Sequence, residues 1–350
     1  MARLLALSRG FDRVDAVLRG ACGRQFTGAV ARIEHKGVLR FERAYGVTRT
    51  GDLAEPVYVD SAFDLASITK IFVSTLALRA VQEGLLELDE SVSRYLTEWR
   101  GTAHEAITLR MLLAHDSGMN SGADYRQLLG FNVVRYTLER ELVAEPGERV
   151  IYSDLGFIAI GELLARIYGR SLAALLRGLG MPARYLPPFT QWSAIPATEK
   201  DAWRGRVQGF VHDEKAYLMG GVAGHAGIFG SARDVAWLAE QYLAPLCGRV
   251  AAGVVRGDTA REAVREQAPD PVLRRGLGWA LKTSDENSCG RLLSMETFGH
   301  TGFVGTCVWA DPSRDCTGVL LTNSVYFGRN DTRDLRAAFY EALVDDLDLR

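Results

Sequence analysis

Ser67-Ile68-Thr69-Lys70 sets a hydroxyl and an amine three residues apart, a spacing that puts both on one face of a helix. An amine one turn from a hydroxyl is the arrangement of a serine nucleophile with its own base. The pair leads directly into the apolar stretch 71–80, so a helix opening near Ser67 would leave the hydroxyl at the positive end of its dipole. That position disfavours a protonated Lys70, which is therefore expected as a neutral base, and favours negative charge developing near Ser67. The chain has only five lysines, Lys36, Lys70, Lys200, Lys215 and Lys282, and no other follows a serine at this spacing. Spacing alone equally describes a serine at a helix start beside a surface lysine.

Acyl transfer also needs a proton route to the leaving group, donors for an oxyanion and a surface that holds the substrate. Tyr152-Ser153-Asp154 follows a Glu145-Pro146-Gly147-Glu148 turn and precedes an apolar helical stretch, 155–167. A tyrosine beside a lysine amine can exchange protons with serine or leaving group; the plainer reading is a packing tyrosine before a helix capped by Ser153 or Asp154. Tyr58-Val59-Asp60 has the same spacing but opens no long helix. His300-Thr301-Gly302-Phe303 precedes strand-like residues. Its glycine would let a substrate backbone approach an edge strand, and the Phe303 amide could join the Ser67 amide as an oxyanion hole. The alternative is a loop histidine before a strand. Lys282-Thr283-Ser284 lacks that glycine and is discounted.

These residues need elements to carry them. Residues 9–22 have helical periodicity, and 27–46 read as a hairpin turning at Lys36-Gly37. Helices are predicted at 68–83, 108–114, 126–143 and 156–169, strands near 206–211, 226–230, 276–281, 304–310 and 317–322, and a closing helix at 331–346. The pattern predicts a sheet built from both ends of the chain, 1–66 and 205–350, with a helical lobe, 67–204, inserted between them and the site in the intervening cleft.

With 350 residues, 47% hydrophobic and 24% charged, the chain can bury a large core. A net charge of -2 without any basic block argues against nucleic acid as a partner. Residues 1–10 have too short an apolar run for a signal peptide, and no stretch is long enough to span a membrane. The expected location is cytoplasmic, or periplasmic or secreted if the N-terminus has been shortened. Five cysteines without a Cys-x-x-Cys pair are expected as free thiols, Cys307 and Cys316 being the one pair that could meet across a hairpin. Six histidines without an i,i+4 pair give no support for a metal, and no cofactor is expected.

In that order, Ser67-x-x-Lys70, Tyr152-Ser-Asp154 and His300-Thr-Gly302 resemble the three motifs of the serine β-lactamase and penicillin-binding-protein superfamily, the tyrosine being similar to its class C branch. Ile107-Thr-Leu-Arg-Met-Leu-Leu-Ala-His-Asp-Ser-Gly118 resembles a further stretch of that branch, as does 85–96, so the likeness spans about residues 10 to 345. The resemblance implies a β-lactamase-like, transpeptidase-like α/β (α+β) fold, with an antiparallel sheet flanked by helices and an all-helical lobe carrying Ser67. It implies Ser67 as nucleophile, Lys70 as base and Tyr152 as proton-transfer partner, with Asp154, His300, Thr301 and Gly302 toward the substrate. Two residues depart from the pattern. Asp154 replaces an amide donor with an acceptor, and His300 replaces a lysine with a side chain expected to be mostly neutral, so strong β-lactamase activity is disfavoured. Val211-His212-Asp213 and Gly220-Gly-Val-Ala-Gly-His225-Ala-Gly resemble a subgroup that includes muramyl-amidase-like and esterase members. His225 is expected to contact substrate or brace Tyr152, the alternative being a glycine-rich turn with His212 paired to Asp213; His115 is expected to be structural. The implied function is a serine hydrolase acting through an acyl-enzyme on a small ester, amide or peptidoglycan-derived substrate. The alternatives are a class C-like β-lactamase or D,D-carboxypeptidase, and a catalytically retired protein that binds peptidoglycan fragments or self-assembles.

Overall fold

The computed structural model describes residues 10–349 except 123, 181, 182, 269 and 271; most of the segment on which the leader reading rests lies outside the described residues. In chain order the principal elements are α1 (Asp12–Ala21), β1 (Gly28–His35), β2 (Val38–Gly46), β3 (Phe63–Asp64), α2 (Thr69–Gln82), α3 (Leu109–Ala114), α4 (Val133–Glu139), α5 (Asp154–Tyr168) and α6 (Leu172–Gly178). There follow β4 (Arg184–Tyr185), β5 (Lys200–Asp201), β6 (Gly205–Arg206), α7 (Glu214–Leu218), β7 (Ile228–Gly230), α8 (Ala232–Leu246), α9 (Gly257–Ala263), β8 (Ala280–Leu281), β9 (Phe298–Thr301), β10 (Cys307–Asp311), β11 (Cys316–Thr322) and α10 (Arg333–Asp346).

Six strands form one antiparallel sheet in the order β2-β1-β11-β10-β9-β8, so the first hairpin pairs with the last strand, Ala29 opposite Thr322. Period-two alternation sorts the side chains to two faces. Ala29, Ala31, Ile33, Cys307, Trp309 and Leu320 pack with α1 and α10 against Phe11, Leu18, Phe339 and Tyr340. Val30, Val308, Ala310, Val319 and Leu321 face the other core with α8, and that core continues without a break into the helical segment. There α2 is buried from Thr69 through Leu78. A small second sheet, β3-β7-β4, ties the segment before Ser67 to Arg184–Tyr185 at the far end of the helices.

Several expected elements are shorter. The helix expected at 126–143 is only α4, because Gly130 takes a left-handed φ of 82° and Asn132 caps from outside, its side chain accepting from the Arg135 amide. Of the strand expected at 206–211 only Arg206 falls in a paired strand, opposite Lys200, Gly209 turning at φ 78°. Gly278 at φ 81° and Gly305 at φ 116° delay the start of two later expected strands, 276–281 to β8 and 304–310 to β10. All five cysteines are free; Cys307 lies opposite Leu320, and Cys316 opposite Asp311. No helix among the described residues is long and apolar enough to cross a membrane.

Candidate active site

Ser67 sits on a turn anchored from both sides. Ser67 lies in a single 3-10 turn, Ala66–Ile68, that feeds directly into α2. Ala66 adopts φ 47°, a left-handed conformation costing a side-chain-bearing residue on the order of 1 kcal/mol. The contacts that hold it there begin with buried Asp64, whose carboxylate accepts from the Ala66 amide at 2.8 Å and the His212 amide at 2.7 Å. Leu65 N–H donates to Ile228 O, Ile228 N–H donates to Thr69 Oγ1 at 3.1 Å, and Thr306 Oγ1 donates to Leu65 O at 3.2 Å.

Lys70, fully buried one turn on, spends its donors on Ser67 Oγ at 3.1 Å, Asp154 Oδ1 at 2.9 Å and the His225 carbonyl at 3.3 Å. Its ammonium also stands 4.8 Å from the centre of the Tyr152 ring. The expected neutral amine is corrected here. Burial is the largest single influence and works against the charge, but the Asp154 carboxylate and Tyr152 together outweigh it and hold Lys70 above its ordinary value. The helix dipole is a partial charge, whereas Asp154 brings a whole one to 2.9 Å.

Asp154 is delivered by the first residue of α5, which Ser153 caps by accepting from the Gly156 amide at 2.8 Å. Its second oxygen meets Lys215 at 3.1 Å, so both oxygens are taken by ammonium groups rather than turned toward a substrate. Burial pushes this carboxyl up, but Lys70, His225 and Lys215 pull it below the usual carboxylate range. His225 is 1% exposed and lies behind Lys70, its Nε2 2.7 Å from Asp213 Oδ1. His212 does not pair with Asp213; its ring meets Glu199 at 2.9 Å. Asp154, Asp213 and His225 bring possible ligand atoms within 4.8 Å of one another, but a cation there would have to displace the ammonium groups already on Asp154. Lys215 and the His225 partnership of Asp213 were not singled out from sequence. The available signal was scarcity, Lys215 being one of five lysines and two residues beyond a motif aspartate.

Tyr152 projects between these charges and an open cavity of about 430 Å³ lined by Ser67, Tyr152, Arg275, Thr301, Gly302 and Phe303, with Arg329 and Arg336 on its outer wall. His115, at φ 63° after α3, positions the tyrosine segment: its Nδ1 accepts from the Ser153 amide at 3.1 Å and its carbonyl from the Ile151 amide at 2.7 Å. Its ring packs 4.7 Å from that of Tyr152. The buried His300 ring lies 6.2 Å from the same phenol. Burial first, then the charges on Arg275 and Lys70, push His300 down to about 3, so the ring is neutral. Its Nδ1 is 2.8 Å from Thr301 O; as donor there it leaves Nε2, which has no hydrogen-bond partner among the described residues, as an acceptor. Arg275, also missed from sequence, lies buried 5.3 Å from the Tyr152 ring centre.

β9 presents a partly free edge beside the cavity. Phe298 and Gly299 pair on both sides, with β8 and β10, whereas His300 and Thr301 pair only with β10 and leave one edge free. The glycine after them is sterically required: a Cβ on Gly302 would stand 2.1 Å from Thr306 Oγ1 and 2.6 Å from Leu65 O. Arg336 fixes the same point by donating to Gly302 O at 2.7 Å. Phe303, 55% exposed, marks the mouth of the cavity and stacks on His212 at 5.7 Å.

A family model described as Beta-lactamase matches residues 12–342. Among similar proteins, one from Escherichia coli strain K12, provisionally named a D-alanyl-D-alanine carboxypeptidase, is 28% identical over 81% of this chain and 75% of its own length. An N-acetylmuramyl-L-alanine amidase of Bacillus subtilis strain 168 is 29% identical over 89% of this chain and 80% of its own. Among solved structures, EstCE1, described as a hydrolase with promiscuous acyltransferase activity, superposes with a TM-score of 0.76 over 96% of this chain and all of its own, at 21% identity.

Proposed function

This chain belongs to the Beta-lactamase family, and from that premise we propose that it is a serine hydrolase cleaving an ester or amide through a Ser67 acyl-enzyme, on carboxylesters or cell-wall fragments. The carrying observation is the contact of Lys70 Nζ with Ser67 Oγ at 3.1 Å, beside a cavity that Ser67, Tyr152 and Phe303 share. The neighbours of Lys70 favour its ammonium form, so it releases one proton to solvent water before it accepts that of Ser67. Ser67 Oγ then bonds to the substrate carbonyl carbon, and the amides of Ser67 and Phe303 receive the oxyanion. The bond to the leaving group breaks as Tyr152 passes it the proton held on Lys70. Water enters by the same route in reverse, releasing the acid and restoring Ser67.

Neutral His300 and the lysine-bound Asp154 favour this reading over strong β-lactam turnover, since neither offers the charge or the amide of the family pattern. The amidase and carboxypeptidase names of the relatives support cell-wall fragments among the substrates. Purified protein would be assayed in parallel on p-nitrophenyl esters, nitrocefin and muropeptides. Turnover of esters or muropeptides well above nitrocefin, lost in Ser67→Ala, is expected. Nitrocefin turnover equal to that of the esters would favour a β-lactamase, and no turnover with muropeptide binding intact would favour a retired site.

A further inference from the structure

Behind the nucleophile lies a closed circuit of charge. Lys70 meets one oxygen of Asp154 at 2.9 Å, and Lys215 meets the other at 3.1 Å. Asp213 is the nearby anion whose charge acts on Lys215, and its Oδ1 contacts His225 Nε2 at 2.7 Å. The His225 carbonyl returns to Lys70 at 3.3 Å. Asp213 and Lys215 sit at the start of α7, where Asp213 is also the cap, accepting from the Ala216 amide at 2.8 Å. The side chains of Lys215 and Asp154 are only 14% and 15% exposed, so their interactions are weakly screened.

We infer that Lys215 is a positioning residue for the Ser67 nucleophile: by occupying the second oxygen of Asp154 it divides that carboxylate between two cations and leaves Lys70 free to exchange a proton with Ser67. The inference rests on the acyl-enzyme reading above. Its physics is simple. A carboxylate facing one ammonium in a dry site holds that ammonium's proton firmly, whereas a second ammonium on the far oxygen competes for the same negative charge and repels the first. Asp154 stands where the family pattern has an uncharged amide, and Lys215 restores the charge balance that the aspartate upsets.

Lys70 also faces other charges. Tyr152 approaches from the segment before α5, and His225 and Asp213 belong to the circuit. His115 after α3 and His300 on β9 each feel the Lys70 charge, and Arg275 stands across the Tyr152 ring. Burial presses both histidines toward the neutral form, so the groups bearing most directly on Lys70 are Asp154 and Tyr152, and Lys215 acts on it through its contact with Asp154.

The test uses the full chain and the rate at which a fluorophosphonate modifies Ser67, followed by intact mass across a pH series, with melting temperature recorded for each variant. Lys215→Met is expected to slow labelling near neutral pH by about tenfold for each pK unit gained by Lys70, and to move the rising limb of the profile to higher pH. Lys215→Arg keeps the charge and is expected to stay within about threefold of the parent. In an Asp154→Asn background, Lys215→Met is expected to cost little, because the carboxylate it balanced is gone. A Lys215→Met profile superimposable on the parent's, or an equal loss in the Asp154→Asn background, would overturn the inference even where the melting temperature falls. Should Lys215→Met not fold, Lys215→Gln is measured against the same two criteria. If the parent protein itself takes no label at Ser67, the acyl-enzyme reading fails and takes this inference with it.

Discussion

A hydroxyl becomes a nucleophile only when something nearby accepts its proton, and Lys70 reaches Ser67 Oγ at 3.1 Å from a fully buried position. Replacing it with methionine keeps much of the stem's volume and removes the acceptor. Lys70→Met is expected to lower kcat for ester hydrolysis by roughly 10²- to 10⁴-fold, with KM nearly unchanged; a loss confined to KM would assign Lys70 to binding instead. The pair was legible because three-residue spacing on a helix fixes proximity without knowledge of the fold. The state of Lys70 was not legible, since it depends on Asp154, 84 residues away, and on Tyr152 beside it. His225 shows the same limit: its glycine-rich surroundings stood out, but only tertiary contacts reveal that its ring turns to Asp213 and its carbonyl to Lys70.

At the scale of elements, the site depends on β9 lying close against the turn that carries Ser67. Gly302 makes that approach possible, because a Cβ there would come within 2.6 Å of the Leu65 backbone oxygen. Gly302→Ala is expected to push the His300-Thr301 edge away from Ser67 and lower kcat/KM about a hundredfold, with far-UV circular dichroism unchanged. Activity within a factor of about two would show that the edge does not have to sit this close. The glycine was readable from the motif, and so was a helix opening just after Tyr152 with Ser153 or Asp154 as its cap, a choice the structure gives to Ser153. The brevity of α4 and β8 was harder to read, because periodicity continues past residues such as Gly130 and Gly278 whose positive φ ends the element.

For the whole molecule, a sheet joining both chain ends presses one face against α1 and α10 and shares its other core with the helices. This arrangement was legible in outline, since strand alternation at both ends with helical periodicity between leaves few other ways to bury the apolar faces. The cost of the buried site appears in its pH dependence. His300 is held near 3 against an ordinary 6.5, so between those values the unfolded chain binds a proton that the folded chain does not. Stability therefore falls as pH drops from about 6.5 toward 3, and buried His115, displaced in the same direction, adds to the slope. His300→Gln is expected to lose roughly 2 kcal/mol less than the parent on going from about pH 7 to pH 4.5, as measured by urea unfolding. Identical losses would mean that His300 is charged in the folded protein. The central claim, that this molecule assembles an acylating serine, is tested most directly by intact-mass analysis after exposure to a fluorophosphonate. The account predicts a single adduct that maps to Ser67 and is absent from Ser67→Ala; an adduct of equal extent in Ser67→Ala, or none in the parent protein, would contradict it.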